Sequence, residues 1–277
     1  MSSPCPLCVK NPNSPNPICN YLAPRMDNCF IRFESEFPAS IIPGRLNSPF
    51  TLNTPEICKI AARELQAFIT KNQSGWVHNF GLDAEKQGVE RGKMFGVLVV
   101  KNRAGELGYL CTFSGKIADE PHHPVFVPSL FDIATGNYFI NTGLAETSAI
   151  GNKIKLLEAR ENANDLQQID LLKEERKTKS ALLQQQLFES YNFFNRKKER
   201  KNVCAIFENT PHKIPPSGTG ECAAPKLLHY AFGHDMQPLA IAEFWWGRSP
   251  GSGDKKHGMF YPACTDRCGP VLKYMLA

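Results

Sequence analysis

At 277 residues, 42% hydrophobic and 21% charged, with a formal net charge of +5, the chain reads as a globular protein of one large domain or two small ones. That charge permits contact with nucleic acid without demanding it, and a chain this apolar is not disordered. The longest apolar run, FGVLVV at 95–100, is far too short to cross a bilayer, and the opening MSSPCPLCVKNPNSPNP lacks the basic-then-apolar order of a signal peptide, so a cytoplasmic protein with no membrane partner is expected.

Residues 1–50, rich in Pro, Asn and Ser, predict a loop-rich arm. It holds Cys5, Cys8, Cys19 and Cys29. The first pair has knuckle spacing, but the second pair is too far apart for a standard ribbon. A second metal site and free thiols both remain as readings. Residues 51–277 predict an α/β domain, a mixed sheet with flanking helices, interrupted at 144–201 by a helical, coiled-coil-like insertion. TPEICKIAARELQAFITKN, 54–72, predicts a helix capped by Thr54 and opened by Pro55, with apolar residues at helical spacing. GKMFGVLVVKNRAGELGYLCTFSGK, 92–116, predicts a β-hairpin around NRAGE. The following EPHHPVFVPSLFD is a proline-rich loop whose His122 and His123 are candidate ligands or plain loop histidines.

From 144 to 201 the sequence is rich in Gln, Glu and Lys and predicts a long helix or helical hairpin. Its basic end, RKKERK at 196–201, reads either as an RNA-phosphate contact or as a solvated helix end complementing the macrodipole. In the last third, NVCAIFEN (202–209) predicts a strand, GECAAPKLLHYAF a helix behind glycines, PLAIAEFWWG a strand and CTDRCGPVLKYML a helix. Strand, helix and strand in that order predict a parallel pair.

Ten cysteines are many for a reducing compartment, where they serve as thiols or metal ligands. Cys58, Cys111 and Cys204 stand alone among apolar residues and read as small buried hydrophobes. Cys264 and Cys268, four apart, would share one face of a helix, and Cys222 opens the preceding helix. These three are the candidate ligands of one structural zinc ion, with water, His257 or His229 as the fourth. The order of elements resembles the zinc-dependent cytidine-deaminase-like fold, whose hallmark is H/C-x-E followed by P-C-x-x-C. Two departures weaken the catalytic side of that resemblance. Ala224 stands where the proton-moving glutamate belongs, and the second pair is C-x3-C with Ala263 after the proline. Glu221 or Glu243 would replace the missing acid only if the fold brought one to the metal.

HNFGL (78–82), GKMFGVLVV, GYLCTFSGK, FVPSLFD, PPSGTGECAAPKLLHYAF, AEFWWGRSP and HGMFYPACTDRCGPVLKYML, in that order, resemble the N-terminal extension of some RluA-type RNA pseudouridine synthases over residues 76–276. The resemblance implies an accessory module, with rRNA or tRNA and a synthase catalytic domain as partners. That family's nucleophilic aspartate sits in an H-R-L-D type motif. Here the nearest string, GRLN at 44–47, has Asn47 in its place, so no pseudouridine formation is expected from this chain alone. Candidate RNA contacts are Lys197, Lys198, Lys201, Trp245, Trp246, Arg248, Lys255 and Lys256, because rings stack bases and cations meet phosphates, with core packing the expected role of at least one of the two tryptophans. Alternatives are a deaminase-like hydrolase acting on a nucleobase, or an interaction protein working through its helical insertion.

Overall fold

A computed structural model describes residues 29–115, 117, 125–130, 138–160 and 162–277. Cys5, Cys8, Cys19, His122 and His123 lie outside the described residues. Helix α1 (Glu56–Asn72) begins one residue later than its sequence signal, with Pro55 rather than Thr54 at the cap. The Pro55 carbonyl accepts from Cys58 and Lys59, so the ring sits where its missing N–H costs nothing. Strands β1 (Lys93–Lys101) and β2 (Leu107–Phe113) form the expected hairpin. Its turn is closed by Asn102, whose Oδ1 accepts from the N–H groups of Ala104 and Glu106.

The insertion is a helical hairpin, α2 (Tyr138–Glu158) and α3 (Leu166–Ser190). It is held by a small apolar seam of Ile154, Leu157 and Ile169 and by exposed ion pairs such as Lys173–Glu158 at 2.9 Å. Helix α3 stops at Ser190, so RKKERK is not a helix end. It spans the turn between β3 (Asn192–Phe194) and β4 (Arg200–Asn202), with Asn195 Oδ1 accepting from Lys197 and Glu199. Residues 203–207, expected in a strand, form the short helix α4 (Val203–Phe207). The reason is local: Asn202 Oδ1 accepts from the Cys204 N–H at 2.9 Å and caps it.

Helix α5 (Ala223–Gly233), strand β5 (Gln237–Trp246), the two-residue β6 (Phe260–Tyr261) and helix α6 (Gly269–Met275) complete the chain. The larger sheet has the order β2-β1-β5-β6, and every neighbouring pair is antiparallel. The expected parallel pair of 202–209 with β5 does not form: residues 203–207 are helical and β5 pairs antiparallel with β1 and β6, while β2 and β5 flank β1 and run the same way without pairing.

Alternation along the strands divides the interior into two cores. Phe95, Val97, Val99, Ala242, Phe244 and Trp246 face α1. Leu98, Val100, Leu110 and Ile241 face α5 and α6. Gly96 lies on this second face, where a Cβ would come within 2.8 Å of the Ala223 Cβ, so its bare backbone lets α5 lie close on β1. The cysteines read as small hydrophobes behave so at Cys58 and Cys111, which are fully buried. Cys204 is only partly covered.

Candidate functional site

The start of α5 and the turn before α6 meet at one end of the sheet. The GTG stretch makes this possible. Gly218 and Gly220 take φ of +77° and +88°, and the Thr219 hydroxyl between them bonds the carbonyls of Pro216 and Arg267 at 2.7 and 3.3 Å. That tie holds the entry to α5 against the cysteine turn. Cys222 becomes the N-cap of α5 and Cys268 the N-cap of α6. Cys264 lies in the turn before α6, not on the helix, so the shared-face argument for the pair fails. Proximity survives by another route: the turn itself folds back, with Arg267 N–H donating to Cys264 Sγ at 3.4 Å and Gly269 N–H to the Thr265 carbonyl at 3.0 Å.

Cys222 is hydrogen-bonded through its side chain to both Cys264 and Cys268. Its bond with Cys264 draws its pKa down, but the bond with Cys268 and burial outweigh that and leave the thiol well above its ordinary range. Cys264 is raised by its bond with Cys222 and then by burial. Without a cation, then, the Cys222 and Cys264 thiols hold their protons. Its donor chemistry suits zinc, for which thiolates are strong ligands. As the side chains lie, the thiols pair with one another instead of surrounding a common centre: no group of three among the described residues stands ready to hold an ion.

Glu243 is the acid at this site. It is 5% exposed, on the β5 face that looks toward α5, and its Oε1 accepts from the Ala224 N–H at 2.8 Å. The residue that lacks a carboxylate in the sequence comparison thus offers its backbone to one from the next strand. Burial, then the neighbouring Cys264, push the Glu243 carboxyl up to about 7, against downward pulls from the Ala224 bond, Lys255 and Lys226. A narrow cleft reaches it between Tyr261, Ala263 and the 49–54 segment. That segment is fastened by the Ala263 N–H to the Pro49 carbonyl at 2.8 Å, and by Asn47, which bonds both backbone groups of Ile241. Glu221 is turned elsewhere, accepting from the Tyr191 hydroxyl at 2.8 Å.

Neither histidine joins the cysteines. His257 accepts at Nδ1 from the Gly247 N–H and lies 4.4 Å from the Trp246 ring, beyond the end of β5. His229 sits within α5 against Phe193 and Phe194, and burial lowers its pKa to about 4. Cys29, the one described member of the arm's cysteine set, is buried and donates to the Phe126 carbonyl at 3.4 Å, a core position and not a ligand position.

The expected RNA contacts fall into two groups at opposite ends of β5. Ten residues of strand separate them by roughly 30 Å. Lys197, Lys198 and Lys201 belong to the β3–β4 turn. Lys198 pairs with Asp235, and Lys201 lies 5.8 Å from the Tyr274 ring centroid. At the other end, Arg248 pairs with Glu90, Lys255 lies 4.0 Å over Tyr261, and Lys256 is exposed. Trp246 is withdrawn from that list. It is 6% exposed, packs with Phe244 and donates from Nε1 to Gln73 at 3.2 Å, so it offers no face to a base. Trp245 is partly covered and donates to the Arg248 carbonyl at 3.0 Å.

Comparison with known proteins found no match to a family model, a curated protein or a solved structure. No helix among the described residues is long and apolar enough to cross a membrane.

Proposed function

We propose that the chain is a cytoplasmic RNA-recognition module of the kind that accompanies RluA-type pseudouridine synthases, built around a thiol site that takes one zinc ion. The observation that carries this reading is the junction of Cys222 with Cys264 and Cys268. The strings that carry the family resemblance, GECAAPKLL and YPACTDRCGP, pack into that one junction. Seven free thiols among the described residues suit a reducing compartment. Bound zinc would tie the two helix starts together and exchange three thiol protons for one cation, which adds directly to folding stability.

The test is metal content with stability. Protein purified without chelator should carry about one zinc per chain. Cys264→Ser should release it and lower the thermal midpoint, whereas Glu221→Gln, still able to accept from Tyr191, should leave both unchanged. A metal-free parent that stays metal-free and no more stable after incubation with zinc would overturn the thiol site.

Glu243 favours a second reading, a hydrolase acting on a nucleobase amidine. When bound, zinc supplies the polarisation that makes water a nucleophile near neutral pH. Glu243, with one oxygen held by Ala224 and a carboxyl poised near 7, is suited to accept a proton and return it to a leaving amine. Ammonia release from cytosine or adenine nucleosides by the zinc-loaded parent, lost in Glu243→Gln with zinc retained, is the result that separates this reading from the first.

A further inference from the structure

A cleft of about 1170 Å³ lies away from the thiols. Its walls are the 43–55 segment, the turn at 196–198, and the chain between the end of α5 and the start of β5. Arg45 enters from the first wall and Arg196 from the second. Neither guanidinium has a carboxylate partner among the described residues, whereas Lys198 beside them pairs with Asp235. The one acid in the cleft, Asp235, is already shared between Lys198 and Arg103, the latter at 2.5 Å. The rim is therefore positive overall. Two of the three non-glycine residues with positive φ among the described residues, Lys198 at +63° and Asp235 at +58°, stand on this rim, a backbone state that packing must hold in place.

We propose that this cleft binds the phosphates of a single-stranded RNA segment, with Arg45 and Arg196 as the contacting cations. The inference rests on the RNA-recognition reading above and names its surface. Guanidinium groups match phosphate oxygens two at a time, which an ammonium cannot do. The volume exceeds what one nucleotide fills, so a strand fits better than a mononucleotide. Ser48, Thr51 and Asn53 line the same wall and add hydroxyl and amide groups, while Met236 and Pro238 give an apolar floor. Arg45 comes from the proline-rich arm and Arg196 from the β3–β4 turn, so the site joins the arm to the smaller sheet.

The experiment is fluorescence anisotropy with a short labelled single-stranded RNA, read over a salt series, beside competition by a free ribonucleoside 5′-monophosphate. In Arg45→Glu/Arg196→Glu the RNA affinity should fall tenfold or more. The log–log salt slope should flatten by about 1.4, since each single-strand phosphate contact contributes about 0.7. Thermal midpoint should not move, because both side chains are exposed. Lys71→Ala, exposed in the last turn of α1, should bind as the parent does. RNA binding by the parent that the arginine pair does not affect would overturn the cleft and leave the RNA reading standing. Arginine-dependent binding of the free monophosphate without RNA binding would overturn the strand and the RNA reading together, leaving a nucleotide pocket. Binding of neither overturns both.

Discussion

Replacing Phe95 with alanine should lower the unfolding free energy by about 3–5 kcal/mol, measured as a shift of the denaturant midpoint at constant slope. The ring is fully buried at the centre of the layer between the sheet and α1. It stacks on Phe244 at 5.9 Å and meets Phe80, Phe113 and Phe126 at 5.8–6.0 Å. Those rings hang from β5, β2 and two connecting segments, so none can move into the void without shifting a different part of the backbone. Collapse is poor and the cost stays high. The next residue, Gly96, faces the opposite core, so the damage is confined to one side of the sheet. The thiol cluster should keep its zinc, and Phe95→Ala should add to Cys264→Ser without coupling, since the two sites share no partner. A loss below about 1 kcal/mol would mean that the aromatic layer is not the packed core described here.

Elements whose signal is local and periodic were legible in the amino-acid order. Helix α1 shows its apolar stripe, the β1–β2 hairpin its turn chemistry, and the insertion its long run with almost no Gly or Pro. The α/β class with flanking helices follows from these. What failed was decided elsewhere. NVCAIFEN has strand-like composition, but one side-chain bond from Asn202 turns its first residues into a helix. Pairing direction within the sheet depends on which strand lies between β2 and β5, and composition does not carry that. Cys264 came to Cys222 through a folded turn and not along a helix face, so the neighbourhood was right and its geometry was wrong. Glu243 did leave a trace. It is the single acid in the apolar run PLAIAEFWW, in step with Ile241, and that period-two position points it at α5. Trp246 follows the same alternation to the opposite face and is buried, so it is the tryptophan of the pair that takes the core role. Arg45 left none, because a lone cation in a proline-rich arm looks like any solvated residue until the cleft closes around it.

Glu243→Gln should stabilise the metal-free protein at pH 8 by about 1–3 kcal/mol and leave it nearly unchanged at pH 5. The folded-state carboxyl is raised from its ordinary 4.5 to about 7, chiefly by burial. Between those values the folded state holds a proton that the unfolded state has released, so stability falls as pH rises through the window. A shift of that size corresponds to a deficit of about 3 kcal/mol once both states are ionised. The groups facing Glu243 act in both directions: the Cys264 thiol adds to the rise, while Lys255, Lys226 and the Ala224 N–H oppose it. Glutamine keeps an oxygen to accept from Ala224 but carries no charge to desolvate, so it removes the deficit without removing the bond. Thermal melts of chelator-treated parent and variant, from pH 5 to pH 8, read the effect as a gap that opens with rising pH. A gap equal at both ends would show that the carboxyl does not titrate in this range. Parent protein more stable than the variant at pH 8 would show Glu243 held as an anion, and with it the loss of the proton-accepting role that a carboxyl near 7 supports.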